Sequence, residues 1–207
     1  MIKQTFWTVT IAGSLALGVW VGCGDTSPPT VETPSRVAPD VGVTILAESQ
    51  PSEQQVAAMM AAKDALFAAL SARLQEAMGQ GGPGSAIAVC QREAQEIAAR
   101  VGETHALKIG RTGVRLRNLR NQAPYWAKDW IEDQVAEPRF AILSNQHAAA
   151  LLPIKLQTQC LMCHGPTDQM LPEIKSQLVD RYPKDQAVNF AEGELRGWFW
   201  IEMPIAE

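Results

Sequence analysis

The chain has 207 residues, 46% of them hydrophobic and 19% charged, with a formal net charge of −4. That balance is ordinary for a globular domain; it excludes the disordered and collagen-like classes and argues against a nucleic-acid partner. Four cysteines, at positions 23, 90, 160 and 163, are too unevenly spaced for the disulfide framework of a small secreted scaffold, so each needs its own explanation.

Residues 1–22 carry one basic residue, Lys3, and then an uncharged, mostly apolar run from Thr5 to Val21. The run is too short and wrongly flanked for a transmembrane helix and reads as a secretory signal peptide. Gly22 precedes Cys23, and Gly24 and Asp25 follow. This resembles the lipobox of bacterial lipoproteins, in which the cysteine becomes the acylated mature N-terminus, although Trp20 stands where Leu is usual. The resemblance implies lipidation at Cys23 and a periplasmic or otherwise extracytoplasmic protein anchored to a membrane. Cleavage elsewhere, or an uncleaved anchor, would export the domain as well. Residues 23–50 are rich in Pro, Thr, Ser and Val without a helical apolar period, and are expected to form a mobile tether.

The folded domain is expected over residues 51–207. Ser52 can cap a helix with Val56, Met59, Leu66, Leu70, Leu74 and Met78 on one apolar stripe, and Gly79 should stop it. Beyond GQGGPG, a second helix is predicted from Ser85 to Gly102 with Ile87, Cys90, Ala94, Ile97 and Val101 on one face, which turns Cys90 inward. HALKIGRT, RFAILS, ALLPIKLQ and LRGWFWIEM read as strands, and helices are predicted near Tyr125–Gln134 and Pro172–Arg181. Together these make an α+β domain with a small antiparallel sheet. Trp126, Trp130, Trp198, Phe199 and Trp200 are candidates for core packing or for the wall of a cofactor crevice.

Residues 160–164 read CLMCH, the CxxCH signature of covalent c-type haem attachment. The two thiols add to the haem vinyl groups and the adjoining histidine is set under the iron. Cys160 and Cys163 are therefore the expected attachment points of one haem c, and His164 the expected iron ligand. Export agrees with this, since c-type attachment is completed outside the bacterial cytoplasm. The alternatives are a redox-active or disulfide CxxC beside an incidental His164, or a zinc site, whose two further ligands His105, His147 or Cys90 could only partly supply. A sixth ligand could come from Cys90, His105, His147, Lys108, Met162, Met170 or Met203. Arg111, Arg115 and Arg117 are candidate partners for haem propionates, because a guanidinium binds a carboxylate as a fork.

Four blocks, GSAIAVCQREAQEIA, IGRTGVRLRNLRNQAP, CLMCHG and RYPKDQAVNFAEGELRGWFWIEM, occur in that order between Pro83 and Pro204. In them the chain resembles a bacterial c-type haem family with a PAS-like fold, often found as the input module of membrane sensors. The resemblance implies a PAS-like domain in which Cys90 and His164 are the axial pair. Departures are Leu119 and Arg120 in place of a usual proline, Gly113 where Ser is common, and Asn189 where Gly is common.

The expected function is that of an exported monohaem protein in electron transfer or redox sensing, working with a redox partner protein or a separate signalling protein. A gas-binding haem sensor is the alternative. An enzyme such as a peroxidase is the weaker reading, since it needs an open distal position with a placed acid or base, which a Cys90 ligand would close; no catalytic residue is nominated.

Overall fold

The computed structural model describes residues 42–205. The predicted signal peptide, Cys23 and the tether as far as residue 41 lie outside the described residues.

Helix α1 (Glu53–Arg92) starts at its predicted cap. Ser52 Oγ accepts from Gln55 N at 3.3 Å and Gln55 Oε1 accepts from Ser52 N at 2.8 Å, so each side chain satisfies an N–H that the first turn leaves free. The helix does not stop at Gly79. The break comes at Gly81 and Gly82, the latter at φ +65°, a left-handed conformation open to a residue without Cβ. Pro83 follows, restarting the helix where its missing N–H is no loss. The two arms fold back on each other, with Leu74, Ala77 and Met78 packed against Ala86 and Val89. Arg73 also grips Glu93, Nε to Oε2 at 2.7 Å and Nη2 to Oε1 at 3.0 Å. The second predicted helix is itself divided at Glu93, so that α2 (Ala94–Thr104) is a separate segment.

The four strands fall where the apolar and aromatic runs put them: β1 (Lys108–Thr112), β2 (Arg139–Ile142), β3 (His147–Lys155) and β4 (Leu195–Pro204). They pair antiparallel in the order β1-β4-β3-β2. Alternation along each strand divides the residues between two faces. On one, Ile109, Ala148, Ala150, Leu152, Phe199 and Ile201 meet Met59, Ala62, Leu66 and Leu70 of α1 and Ala94, Ile97 and Ala98 of α2. On the other, Ala149, Leu151 and Trp198 meet Leu143, Trp126 and Ala127, the last two just before α3 (Lys128–Glu132). Trp126 and Trp198 are core, with Trp130 and Trp200 packed against them partly buried: Trp126 Nε1 donates to Glu202 Oε1 and Trp198 Nε1 to Val135 O, both at 2.7 Å. Between β3 and β4 the chain forms α4 (Leu161–His164) and α5 (Pro172–Arg181), the latter with the predicted bounds.

One boundary moves. Residues 43–46, assigned to the tether by composition, run beside the sheet: Ile45 bridges Leu143, Leu46 N donates to Ile142 O at 2.8 Å, and Val43 and Ile45 join the second core. Apolar side chains that find a core are held by it whatever their Pro-rich surroundings suggest, so the packed unit begins before residue 51.

Leu66 is fully buried between α1 and the sheet, whereas Val179 on α5 is 67% exposed. Leu66→Ala is expected to lower the unfolding free energy by about 2–5 kcal/mol, seen as a lower denaturant midpoint at unchanged slope. Val179→Ala should stay within about 0.5 kcal/mol of the parent.

Candidate cofactor site

Thr158–Cys160 form a 3-10 turn that runs into the single turn of α4. Residues three apart in a helical turn leave it on the same side, which sets Cys160 and Cys163 together. Both are half-buried, and neither is bridged. Cys160 packs with Leu156, Ala187 and Phe190, and Cys163 with Ile87, Met170, Ile174, Leu178 and Tyr182.

A one-turn helix has too few bonds to hold itself. The loop Asp185–Phe190 holds it instead: Phe190 N donates to His164 O at 3.0 Å, and Asn189 N to Gly165 O at 2.9 Å. Asn189 has a φ of +60°, a left-handed conformation that asparagine tolerates better than most residues with a Cβ. Its Oδ1 also accepts from Thr167 N at 2.9 Å.

The same loop fixes the histidine. Ala187 O lies 2.7 Å from His164 Nδ1. A carbonyl can only accept, so the ring carries its proton on Nδ1 and keeps the Nε2 lone pair free. Phe190 meets the ring edge-on, with centroids 6.3 Å apart. Burial, and then the charges of Arg117 and Arg196, hold the His164 pKa well below the ordinary histidine range. The imidazole is thereby kept neutral, the form that binds metals.

The arginines divide into two kinds. Arg115 pairs with Glu194 at 2.6 Å, donates to Val188 O at 3.0 Å and lies 3.5 Å above the Phe190 ring. Arg117 pairs with Asp185 at 2.9 Å and donates from Nη2 to Cys163 O at 2.6 Å and Ala187 O at 3.0 Å. Arg111 and Arg196, by contrast, have no carboxylate within ion-pair reach among the described residues. Burial lowers the Arg111 pKa, and burial together with Arg117 and Arg111 pushes Arg196 down to about 10. Cations left in this state call for an anionic partner.

Cys90 stands one turn beyond Ile87 on the second arm of α1, and so approaches the cluster that contains Cys163. Burial pushes its thiol up, against Arg111, Arg117 and Arg196, the three cations that also act on His164. The fold therefore gathers Cys90, Cys160, Cys163, His164, Arg111, Arg115 and Arg117 from the sequence expectations, with Met170 buried beside Cys163 as the second candidate ligand it brings near. It does not gather the others. His147 and Lys108 lie near Glu202, Met203 joins the α1 face of the sheet, His105 lies beside Thr104 at the end of α2, and Met162 is exposed. Among the described residues no three His, Cys, Asp or Glu side chains converge closely enough for a bare metal ion. Two adjacent thiols, a neutral imidazole and unpaired guanidinium groups instead suit a cofactor that brings its own metal and its own negative charge.

Sequence reasoning missed Arg196, Asp185 and Ala187. Lys155 pairs with Leu195 and Ile154 with Gly197, so Arg196 is the extra residue of a β-bulge, a device that re-aims a side chain beside a site. A lone arginine inside LRGWFWIEM was the available signal. For Ala187 there was none, since only its backbone takes part.

The site thus belongs to a class: an α+β, PAS-like domain with a four-stranded antiparallel sheet and a CxxCH turn clamped by a loop. A family model, Tll0287-like, matches residues 45–204, and the chain belongs to that family. The match takes in the whole of α1, whereas the sequence blocks began at Pro83. Among solved structures, the crystal structure of the cyanobacterial heme-protein Tll0287 is similar, with a TM-score of 0.56 and 18% identity over 76% of this chain and 99% of that one. No curated protein matches.

A histidine whose pKa is depressed on folding takes up a proton more readily when unfolded. Its contribution to stability is complete above the unfolded value of about 6.5 and is lost as pH falls below it. In the cofactor-free chain, the thermal midpoint should therefore drop more between about pH 6.5 and pH 5 for the parent than for His164→Gln. Parallel pH profiles would contradict the assigned neutral, buried imidazole.

Proposed function

We propose that this protein binds one haem c through Cys160 and Cys163, with His164 Nε2 and Cys90 as the groups that would hold its iron, and works as a redox protein in electron transfer or redox sensing. The observation that carries the reading is the Ala187 bond to His164 Nδ1, which orients a neutral imidazole beside the two thiols of CxxCH. A ligating histidine elsewhere in metalloproteins is held in the same way, by an acceptor on its other nitrogen. Membership of the Tll0287-like family, and a similar fold in a protein described as a heme-protein, support haem binding.

A bound haem supplies a one-electron iron centre. The chain's residues supply the rest. Arg111 and Arg196, which meet no carboxylate among the described residues, would offer donors to propionate carboxylates, whereas Arg115 and Arg117 are engaged by Glu194 and Asp185. Phe190 packs against Cys160, and Tyr182, Met170 and Ile174 pack against Cys163, so each thiol has an apolar neighbour on one side. An anionic Cys90 sulfur would favour the ferric state relative to a neutral ligand such as Met170.

The signal peptide and Cys23 lead us to propose that the domain works outside the cytoplasm, lipid-anchored to a membrane, and exchanges electrons or signals with a separate protein. No acid–base pair is assigned, and catalysis forms no part of the proposal.

Two measurements test it. Acid–acetone extraction should leave haem on the parent and remove it from a Cys160→Ala/Cys163→Ala variant. Absorption spectra of the parent should be low-spin when ferric and when dithionite-reduced, with no carbon monoxide complex, and Cys90→Ala should change the ferric spectrum. A carbon monoxide complex in the reduced parent would turn the reading towards ligand sensing. An unaltered Cys90→Ala spectrum would remove Cys90 from the iron and leave Met170 as the next candidate.

A further inference from the structure

We propose that Arg117, clamped by Asp185, is a positioning residue that weakens His164 as an electron donor by sharing the Ala187 carbonyl, and so raises the reduction potential of the centre. The inference rests on the haem assignment above and concerns how this chain tunes it.

Arg117 lies at the hub of the site, its side chain 9% exposed and that of Asp185 10%. Of the five N–H donors on a guanidinium, three are spent inside the protein: Nε on Asp185 Oδ2, and Nη2 on both Cys163 O and Ala187 O. Little is left for a propionate, and the sequence expectation for Arg117 gives way to a different role.

The backbone of Ala187 is gripped on both sides of its Cα. Its N–H donates to Asp185 Oδ1 at 2.7 Å, and its carbonyl accepts from His164 Nδ1 at 2.7 Å and from Arg117 Nη2 at 3.0 Å. An acceptor shared with a permanent cation draws less strongly on the imidazole N–H. The ring then keeps less imidazolate character and gives less electron density through Nε2, which disfavours the ferric state. Burial of the pair limits screening by salt, so the influence persists at ordinary ionic strength. Asp185 acts in the opposite sense by partly cancelling the cation that it also holds in place.

The opposed signs make the role testable in holoprotein by spectroelectrochemical titration. Arg117→Gln should lower the potential by at least a tenfold change in the reduced-to-oxidised ratio, 59 mV for one electron. Asp185→Asn, nearly the same shape, should raise it. Arg117→Lys, which keeps the charge, should fall closer to the parent than Arg117→Gln. A residue that merely braced the loop would move both potentials the same way or leave them alone, and either result overturns the inference. Where Arg117→Gln does not fold, Asp185→Asn decides alone: a rise supports the role, and no change or a fall overturns it. A parent chain without extractable or covalent haem would sink the function proposed above. Haem-loaded variants with unshifted potentials would sink only the role of Arg117.

Discussion

A histidine offers a metal one ring nitrogen when its other is occupied, and here the occupant is the carbonyl of Ala187. Much of the surrounding structure serves to put that oxygen in place. The loop that carries it leaves α5 at Tyr182, is bonded through Gln186 N to Leu116 O, and is gripped by Arg115 at Val188 and Arg117 at Ala187. From there it reaches back to His164 and Gly165. The CxxCH turn is too short to be stable alone, so its geometry is borrowed from the segments on either side of the sheet's last connection.

The electrostatics follow from the same arrangement. Arg115 and Arg117 meet carboxylates and fasten the loop, while Arg111 and Arg196 are left with their charge unspent and partly out of water. Uncompensated cations destabilise a chain by itself, and a negatively charged cofactor that binds only the folded form would offset that penalty. The site is thus sensitive to charge, whereas the sheet and its two cores depend on apolar burial.

Where the chemistry lies in residue type, the sequence was readable. The spacing of CxxCH puts its two cysteines on one short turn, and α5 and the four strands follow from runs that only one kind of backbone can bury well. The helix end at Gly79 was misread because glycine merely weakens a helix; the chain turns where Gly82 takes a left-handed φ that a neighbouring glycine does not need to take. The division at Glu93 left no trace, since that residue keeps right-handed angles and the bonds from Glu93 N to Val89 and from Ile97 N to Glu93 O continue. Arg196 was hidden for another reason: its direction depends on pairing between β3 and β4, and no single segment contains that information. Ala187 works through a backbone atom common to all residues.

The bulge at Arg196 also constrains how this protein can change over time. One additional residue inverts the parity of a strand, and that is how Leu195 comes to share a core with Trp198 and Trp200 despite standing an odd number of positions from Trp198. Substitution along β4 can proceed position by position under ordinary packing rules. Loss of a single residue there would instead send Leu195 to the wrong face and Arg196 away from Cys90 and His164 in one event, so the segment is free to drift in composition while its length stays locked.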